Sequence, residues 1–484
     1  MANKNDLIEE VVGMAEVGIG AAKEKVLAKI TFPKRWSDGP TVALNPTPEQ
    51  FQRLAYMGGR ELSLVLKLGP EDQQTLIETD GLWILSSNQT YWSDDVQDCR
   101  IEAKLNGIWK KKFWPTKSNA PARKTDIRFW ISPNSSLHGF GGIESDFRGN
   151  RKVETYGQQT IELSTGTTLN FRKNYYWWSG EGIEAATNYV LVADAAIEMP
   201  ISDFLDGVKN TLEDLNYFLL VVSIATRTRT ACYGWDASAE NGLCSRYLPD
   251  ISIPTGYSES SLNDGLIKCS DLEEFYRLAY PTLIRSAYKE SIVAAIYALV
   301  PLKERFLESE FISIFSSLEH ILLTFRRSEK LEYALSTEEF TALKNGIEKT
   351  IKEKVSEKSS REKIKAKILD LNRVPVSYAY EKFIEKIEIE ISDLWPVFNR
   401  KDGVNLYQLR NWLSHGEPIP DSVRDQMWIA NSHLRWTVER IALKLLGWSS
   451  EKSEVSPRFL KTHAAAMRDY VSARSTMSKI MIDS

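Results

Sequence analysis

Three residues in the C-terminal quarter of the chain, Arg410, Asn411 and His415, have side chains that together can bind a phosphate and transfer a proton. Asn411 and His415 are four positions apart and therefore share one face of a helix, and the long side chain of Arg410 can reach that face. Gly416 and Pro418 follow directly and predict that the helix ends at about His415. A histidine in such a last turn is suited to general acid–base catalysis.

RNA is the substrate class that fits these side chains, because it carries its own nucleophile, the 2′-hydroxyl. Its cleavage needs a base for the 2′-hydroxyl proton, an acid for the leaving 5′-oxygen and positive charge beside the phosphate oxygens. An imidazole can transfer the protons, and the forked guanidinium of arginine can bind the oxygens. One such histidine per chain can carry out only one of the two proton transfers. A symmetric dimer would bring in a second histidine for the other, so the sequence favours a dimer.

The elements that position these residues are predicted to be helices, because apolar residues recur at three-to-four spacing after Pro200. Leu406, Leu409 and Leu413 form the apolar stripe of the helix that carries Arg410. The predicted helices begin at Ser202 or Asp203 and continue with 271–299 (kinked or split by Pro281), a helix from Pro301 to about Phe325, and 337–372, 378–396, 404–415 and 421–446.

The segment Leu409-Arg410-Asn411-Trp412-Leu413-Ser414-His415-Gly416 resembles the signature of the HEPN superfamily, the higher eukaryote and prokaryote nucleotide-binding helical domain. The segment 311–322, with its Ser-Leu-Glu-His-Ile-Leu ending, is similar to the first core helix of the ApeA-like branch of that superfamily. The resemblance covers about residues 285–447. A second Arg-x-x-x-x-His match, Arg458 to His463, lacks the polar residue and the terminating glycine, and we interpret it as accidental.

The resemblance implies a metal-independent endoribonuclease without a cofactor, acting as a cytoplasmic homodimer or larger oligomer. It implies that Arg410 and His415 are the catalytic pair and that Asn411 and Ser414 support them. Glu319 is then either a buried residue that orients the site or an ordinary carboxylate between helices. The implied setting is bacterial antiphage defence by abortive infection, with an RNA substrate such as tRNA and a phage-derived protein as trigger.

Two alternatives remain open. The bundle is a non-catalytic module for nucleotide or nucleic-acid binding and dimerisation, or the chain is the toxin of a HEPN toxin–antitoxin pair. For Arg410 and His415 the structural alternative is a helix-capping histidine beside a surface arginine.

The N-terminal half differs in its periodicity. Residues 6–30 are rich in glycine and alanine and predict a helical arm, whereas alternating residues between 40 and 200 predict strands, as at 62–68, 125–132 and 189–197 and in a hairpin at 161–171. The fold class is therefore α+β, a sandwich-like β-rich domain followed by an all-α HEPN bundle. The predicted divisions are a helical arm at 1–35, a β-rich sensor domain at 36–200, a helical connector with a turn-rich insert at 201–284, the bundle at 285–447 and a polar tail at 448–484.

One segment of this half interleaves cations with aromatic residues, as in Lys110, Lys111, Lys112 and Trp114. Such a segment can bind a phosphate backbone and stack on bases, so these four residues are a second candidate RNA-binding set. The alternative is a solvated strand edge, where lysines discourage association. The residues from Arg326 to Arg373 are interpreted as ordinary Glu/Lys helix faces.

The composition limits the remaining classes. The net charge of −4 gives no global reason for nucleic-acid binding, so any such site must be a local patch. The four cysteines are too widely spaced for a zinc site and predict buried free thiols. Asp94, Asp95 or Asp98 with Glu102 and Lys104 only superficially resembles a metal-dependent nuclease site, because the spacing is too tight. No secretion signal and no apolar run of bilayer length are present in the sequence.

Overall fold

The computed structural model describes the chain over most of its length, namely residues 8–20, 22–33, 40–56, 62–69, 74–92, 95–112, 123–137, 141–145, 151–155, 159–177, 187–199, 203–239, 242–248, 265–301, 305–399, 403–416, 419–461 and 470–483. It divides into two compact units, Met1–Gly265 and Leu266–Ser484. Strands dominate the first unit and helices the second, which confirms the predicted order of a β-rich part followed by a helical part.

The first unit contains fourteen described strands and two described α-helices. The strands are β1 Ile8–Ile19, β2 Ala22–Pro33, β3 Thr41–Asn45, β4 Ser63–Leu68, β5 Thr75–Trp92, β6 Asp95–Lys112, β7 Arg123–Ile131, β8 Gly141–Ser145, β9 Arg151–Thr155, β10 Gln159–Glu162, β11 Thr168–Trp177, β12 Thr187–Met199, β13 Cys232–Ala239 and β14 Gly242–Tyr247. The helices are α1 Pro48–Tyr56 and α2 Phe204–Thr226. The strands predicted at 62–68, 125–132, 161–171 and 189–197 are confirmed by β4, β7, the β10–β11 hairpin and β12.

The N-terminal prediction is wrong, because residues 8–33 form the β1–β2 hairpin instead of a helical arm. Ala15 and Val17 on β1, and Val26, Ala28 and Ile30 on β2, are buried at alternate positions, which is the period of a strand. Gly20 lies in the turn with a φ of +56°, a conformation that glycine adopts without steric cost. The glycines on which the prediction of a helical arm was based therefore belong to a β-hairpin.

Twelve strands form one continuous antiparallel sheet instead of the two facing sheets of a sandwich, and β8 and β9 form a separate pair. Within it, the order β6-β3-β2-β1-β4-β5 closes into a ring, because β5 also pairs with β6 along almost their whole lengths. The buried apolar side chains of this ring form one cluster that includes Val17, Ile30, Leu64, Ile101 and Ala103. Closure explains why the strands alternate between buried and exposed residues.

The rest of the large sheet continues from β6 through β14, β13, β7, β12 and β11 to β10. Helix α2 belongs to this unit: Phe218 on α2 packs against Phe171 on β11, with ring centroids 5.7 Å apart. Asp214 on α2 accepts hydrogen bonds from Ser164 Oγ at 2.7 Å and from Thr165 N at 3.0 Å in the β10–β11 turn. The segment predicted as a helical connector therefore contributes α2, β13 and β14 to the first unit.

The second unit contains ten described α-helices. They are α3 Leu272–Arg285, α4 Lys289–Leu299, α5 Leu307–Ser328, α6 Thr337–Lys354, α7 Lys358–Ile368, α8 Val376–Ile387, α9 Leu406–Ser414, α10 Arg424–Leu445, α11 Pro457–Leu460 and α12 Tyr470–Asp483. Among the described residues, no helix is long and apolar enough to cross a membrane.

Several helix boundaries differ from the prediction. The break in the long pattern at 271–299 falls at Ser286, whereas Pro281 lies inside α3. Pro301 lies outside any helix, because α5 begins only at Leu307. Helix α8 ends at Ile387, where Glu388 takes a φ of +52°, so the predicted helix at 378–396 is shorter.

The C-terminal residues predicted as a polar tail contain α12, which holds the start of α9. Ser478 Oγ accepts a hydrogen bond from Val404 N at 2.8 Å, and Arg474 Nε donates one to Val404 O at 3.0 Å. Trp395 Nε1 donates to the same carbonyl at 3.0 Å. The turn that leads into the helix with Arg410 is therefore fixed from two sides.

The cysteines are free thiols, as predicted, but they are not all buried. Cys99, Cys232 and Cys244 are buried, whereas Cys269 is exposed. Burial raises the pKa of Cys232 to about 12 and that of Cys244 to about 12, so both stay protonated near neutral pH.

Candidate functional site

Helix α9 is short, and local hydrogen bonds define both of its ends. At its N-terminus Asn405 Oδ1 accepts from Gln408 N at 2.8 Å, and Gln408 Oε1 accepts from Asn405 N at 3.0 Å, which is a capping box. At its C-terminus Gly416 takes a φ of +80° and its N–H donates to Leu413 O at 3.1 Å. The helix therefore ends where the glycine predicted, and His415 is its last capping residue.

The apolar stripe of α9 anchors the helix. Leu406 and Leu409 are completely buried, whereas Leu413 is only partly buried. The neighbouring Tyr407 ring packs against Phe315 of α5 at 6.1 Å between centroids. These contacts hold α9 against α5, and they leave the side of α9 with Arg410, Asn411 and His415 partly or fully exposed.

Arg410 connects α9 to α5 through its guanidinium. Nη2 donates to Glu319 Oε2 at 3.0 Å, and Nη1 donates to Asn411 Oδ1 at 3.2 Å. The side chains of Arg410 and Glu319 are each 30% exposed, so the pair lies at the surface of the unit and not in its core. Arg410 Nε is buried and has no hydrogen-bond acceptor among the described residues.

Glu319 lies at the border of the buried face of α5, whereas the next residue, His320, faces solvent. Its neighbours Leu318 and Ile321 are fully buried, which fixes the rotation of α5 and directs Glu319 toward α9. The structure therefore brings Glu319 into direct contact with Arg410, and its carboxylate is half-buried between the two helices. His320, the next residue of α5, is exposed.

His415 and Ser414 are both exposed at the end of α9. The backbone N–H of His415 donates to Asn411 O at 3.1 Å, so the residue is attached to the last turn of the helix. Its imidazole makes no hydrogen bond or ion pair with the described part of the chain. The ring is therefore accessible to a ligand, and its orientation is not fixed by another side chain there.

Lys110 and Lys111, from the second candidate RNA-binding set, do not lie on one face of the sheet. Lys110 and Lys111 are successive residues of β6 and therefore point to opposite faces of the sheet. Lys111 Nζ forms an ion pair with Glu78 at 3.3 Å and lies 5.1 Å from the Trp109 ring centroid, whereas Lys110 Nζ lies 5.3 Å from that of Phe32. The Lys112 side chain and Trp114 lie outside the described residues.

The alternative interpretation, a solvated strand edge, does not hold for the described part of this segment. Leu76 of β5 is the register partner of Lys111 on one side, and Cys244 of β14 is its partner on the other. The lysines thus belong to an interior strand, where they interact with aromatic rings and a carboxylate.

His433, to which the sequence analysis assigned no role, is buried in the helical unit. Its Nδ1 accepts a hydrogen bond from Trp395 N at 3.1 Å, and the rings of Trp436 and Tyr470 lie 5.0 Å and 4.9 Å away. Burial, more than any charge, lowers the pKa of His433 to about 4. His433 is therefore a neutral structural residue at physiological pH. His138 and His463 lie outside the described residues.

Beside His433, a buried arginine connects three segments. Arg440 is completely buried and binds both carboxylate oxygens of Asp393, at 2.6 Å and 2.7 Å. Its Nε donates to Val455 O at 2.7 Å and its Nη1 donates to Glu390 O at 2.9 Å. All three nitrogens of this guanidinium donate hydrogen bonds within the helical unit, whereas Arg410 Nε has no acceptor among the described residues.

Metal-ligating side chains are not grouped in the described residues: no three His, Cys, Asp or Glu side chains converge there. Glu102, from the superficial Asp and Glu pattern, forms an ion pair with Arg100 at 2.8 Å. Asp94 lies outside the described residues.

Arg410, Asn411 and Glu319 therefore form one hydrogen-bonded group, and His415 caps the same helix one turn after Asn411, exposed to solvent. The sequence identified three of these residues from their spacing, whereas the contact with Glu319 spans 91 positions and no local spacing predicts it. This group can present a positive charge and a proton-transfer group to an anion at the surface. Comparisons of this chain with protein-family models, with curated proteins and with solved structures find no match.

Proposed function

We propose that the helical unit is a HEPN-type endoribonuclease that cleaves RNA without a metal ion. The observation that carries this proposal is the arrangement at the end of α9, where a partly exposed guanidinium lies beside Asn411 and Glu319 and an exposed imidazole follows five residues later. Charge for the phosphate oxygens and a group for proton transfer are thus available at one surface.

In the proposed mechanism the 2′-hydroxyl oxygen attacks the adjacent phosphorus while the bond from phosphorus to the 5′-oxygen breaks. His415 accepts the 2′-hydroxyl proton, and an imidazolium gives a proton to the leaving 5′-oxygen. The products are a 2′,3′-cyclic phosphate and a free 5′-hydroxyl, so atoms and protons balance. Arg410 binds the non-bridging oxygens, which gain negative charge as the new bond forms.

Glu319 and Asn411 position Arg410 in this proposal. An unrestrained arginine side chain samples many rotamers, and each hydrogen bond to Nη1 or Nη2 removes part of that freedom before substrate binds. The 30% exposure of Arg410 leaves part of the fork accessible to a phosphate. Ser414, exposed beside His415, is available for hydrogen bonds to the RNA.

The second proton-transfer group requires another subunit. A symmetric homodimer that brings two α9 ends together supplies a second His415 and a second Arg410 to the same phosphodiester. The wider setting is part of the same proposal: a cytoplasmic effector of antiphage defence, in which the β-rich unit recognises a trigger.

The test uses purified full-length protein incubated with total RNA in the presence of EDTA. We expect cleavage products with cyclic phosphate ends, and we expect His415→Ala to lower the rate by about 100- to 10,000-fold. His320→Ala is the matched control, because His320 is also exposed in the same unit but lies on α5. Equal cleavage by wild type and His415→Ala would refute the catalytic assignment.

A non-catalytic binding module is the second candidate, and one observation favours it. The charge of Arg410 is already balanced by Glu319, and no described side chain orients the His415 imidazole. In that case the protein retains RNA in a binding assay, produces no cleavage products, and loses RNA affinity in Arg410→Ala.

A further inference from the structure

The α6–α7 hairpin concentrates positive charge in one part of the helical unit. Between residues 349 and 367 the sequence has eight basic and three acidic residues, whereas between 326 and 348 it has four basic and five acidic ones. The excess of basic over acidic residues between 326 and 367 thus comes from the second half of α6 and from α7.

The fold does not require these lysines. In α7, with the sequence KSSREKIKAKI, Ile368 is the one buried residue. It joins a small apolar cluster with Phe340 and Ile351 of α6, which holds the two helices together. A helix that is polar on nearly all sides contributes little to a core, so the hydrophobic effect does not account for five cations in eleven residues.

The lysines of this surface also lack partners within the described part of the chain. Six of them are exposed and form no ion pair or hydrogen bond with a described residue: Lys349, Lys352, Lys354, Lys358, Lys363 and Lys367. Two lysines of the neighbouring α8, in contrast, are paired, Lys382 with Glu385 at 2.8 Å and Lys386 with Glu329 at 2.5 Å. Within α7 Lys365 pairs with Glu362 at 3.8 Å, but the other lysines of α7 have no carboxylate partner among the described residues. Their mutual repulsion is thus only partly relieved, and an external polyanion would relieve it further.

The base of the hairpin is held firmly, so the charge has a defined place in the unit. Asn372 bonds both backbone groups of Leu335, with Oδ1 accepting from the N–H at 2.8 Å and Nδ2 donating to the carbonyl at 3.1 Å. Arg326 of α5 donates to Val374 O at 3.2 Å. The α6–α7 hairpin thus projects from the junction of α5 and α8, in the unit that carries Glu319 and Arg410.

We propose that the α6–α7 hairpin binds the phosphate backbone of the RNA through the exposed lysines of α7. This inference rests on the proposed function, to which it adds a substrate-binding surface separate from the residues of α9. Lysine binds a phosphate as a compact point charge without reading the base, so the surface provides affinity rather than sequence specificity. An anionic membrane is the less suitable partner, because within α7 the one exposed large apolar residue is Ile364, too little for an amphipathic face.

The experiment measures binding of a long single-stranded RNA to the full-length His415→Ala protein as a function of salt. The test variant carries Lys358→Gln, Lys363→Gln and Lys367→Gln. The matched control carries Lys382→Gln, Lys386→Gln and Lys452→Gln, which removes the same charge from lysines of the same unit that are paired with glutamates. Circular dichroism verifies that both variants are folded.

We expect the α7 variant to bind RNA roughly tenfold or more weakly at physiological salt and the control to bind nearly as the parent does. The slope of log K against log salt should decrease by about 2, since each lost phosphate contact on a single strand contributes about 0.7. Replacing the same three lysines by arginine should restore both values.

Equal affinity and equal slope for the α7 variant and the control overturn the inference and leave the proposed ribonuclease intact if the wild type still cleaves. Absence of RNA binding by the parent overturns both. Binding of the α7 lysines to vesicles of anionic phospholipid, with RNA affinity unchanged, also overturns it.

Discussion

Arg410 Nη2 and Glu319 Oε2 lie 3.0 Å apart and join α9 to α5 across 91 positions of the chain. The ion pair is partly exposed, so it contributes little to stability, on the order of 0–1 kcal/mol. Its larger effect is geometric, because it fixes where the guanidinium lies relative to the end of α9.

This contact makes Glu319→Ala a test of positioning. We expect RNA cleavage to decrease about 100-fold, the effect of a misplaced catalytic group, while the free energy of unfolding changes by less than about 1 kcal/mol. Single-turnover rates and urea unfolding measure the two quantities. Glu329→Ala is the control, because Glu329 also bridges two helices, through Lys386, but lies away from Arg410. A rate as high as that of the control would show that Glu319 does not position the guanidinium.

The end of α9 offers a paired test with two glycines. Gly416 has a φ of +80° and Gly346 lies within α6, and an added Cβ would meet no atom within 4 Å at either position. Gly416→Ala should therefore destabilise the protein by about 1 kcal/mol through backbone strain alone, and Gly346→Ala should stabilise it by about 0.5–1 kcal/mol. Thermal unfolding measures both. A neutral Gly416→Ala would mean that α9 does not end in this left-handed turn.

The buried His433 predicts a pH dependence of stability. Its pKa in the folded protein is about 4, below the ordinary value of 6.5, so the unfolded chain binds the proton more readily. The free energy of unfolding should therefore fall as the pH decreases from about 6.5 toward 4, by roughly 2 kcal/mol between pH 7.5 and pH 5. Asp393 opposes this shift and Arg440 adds to it, but both effects are smaller than that of burial.

His433→Gln is the variant that checks this prediction. The glutamine keeps an acceptor for Trp395 N–H but cannot be protonated in this range. Urea unfolding of both proteins at pH 7.5 and pH 5 should show a smaller decrease in the variant. The same decrease in both would mean that other groups cause the acid sensitivity.

Local patterns predicted much of the helical unit and of the site. The positions of α5, α9 and α10 follow from apolar residues at helical spacing, and the end of α9 follows from Gly416. Arg410, Asn411 and His415 were found because all three lie within one and a half turns. The partnership with Glu319 depends on the packing of α5 against α9, and only the HEPN resemblance suggested a role for Glu319.

The errors have physical reasons. Residues 8–33 contain many glycines and alanines, and this composition led to the prediction of a helix. The buried residues, such as Ala15, Val17, Val26 and Ala28, in fact alternate with less buried ones, as in a strand. The pairings of β1 with β4 and of β3 with β6 join strands that are far apart in sequence, and no local pattern specifies them. His433 was missed because burial, not sequence spacing, determines its protonation.

Ring closure limits how another chain can associate with the first unit. Every strand of the ring has a hydrogen-bonded neighbour on each side over part of its length, and the large sheet ends at its far side in β10, a described strand of only four residues. A short edge strand has few unpaired backbone N–H and C=O groups with which a strand of another chain could pair, which protects such a sheet from edge-to-edge aggregation. Where the ring strands are paired on both sides, a partner must therefore bind side chains and loops rather than extend the backbone ladder.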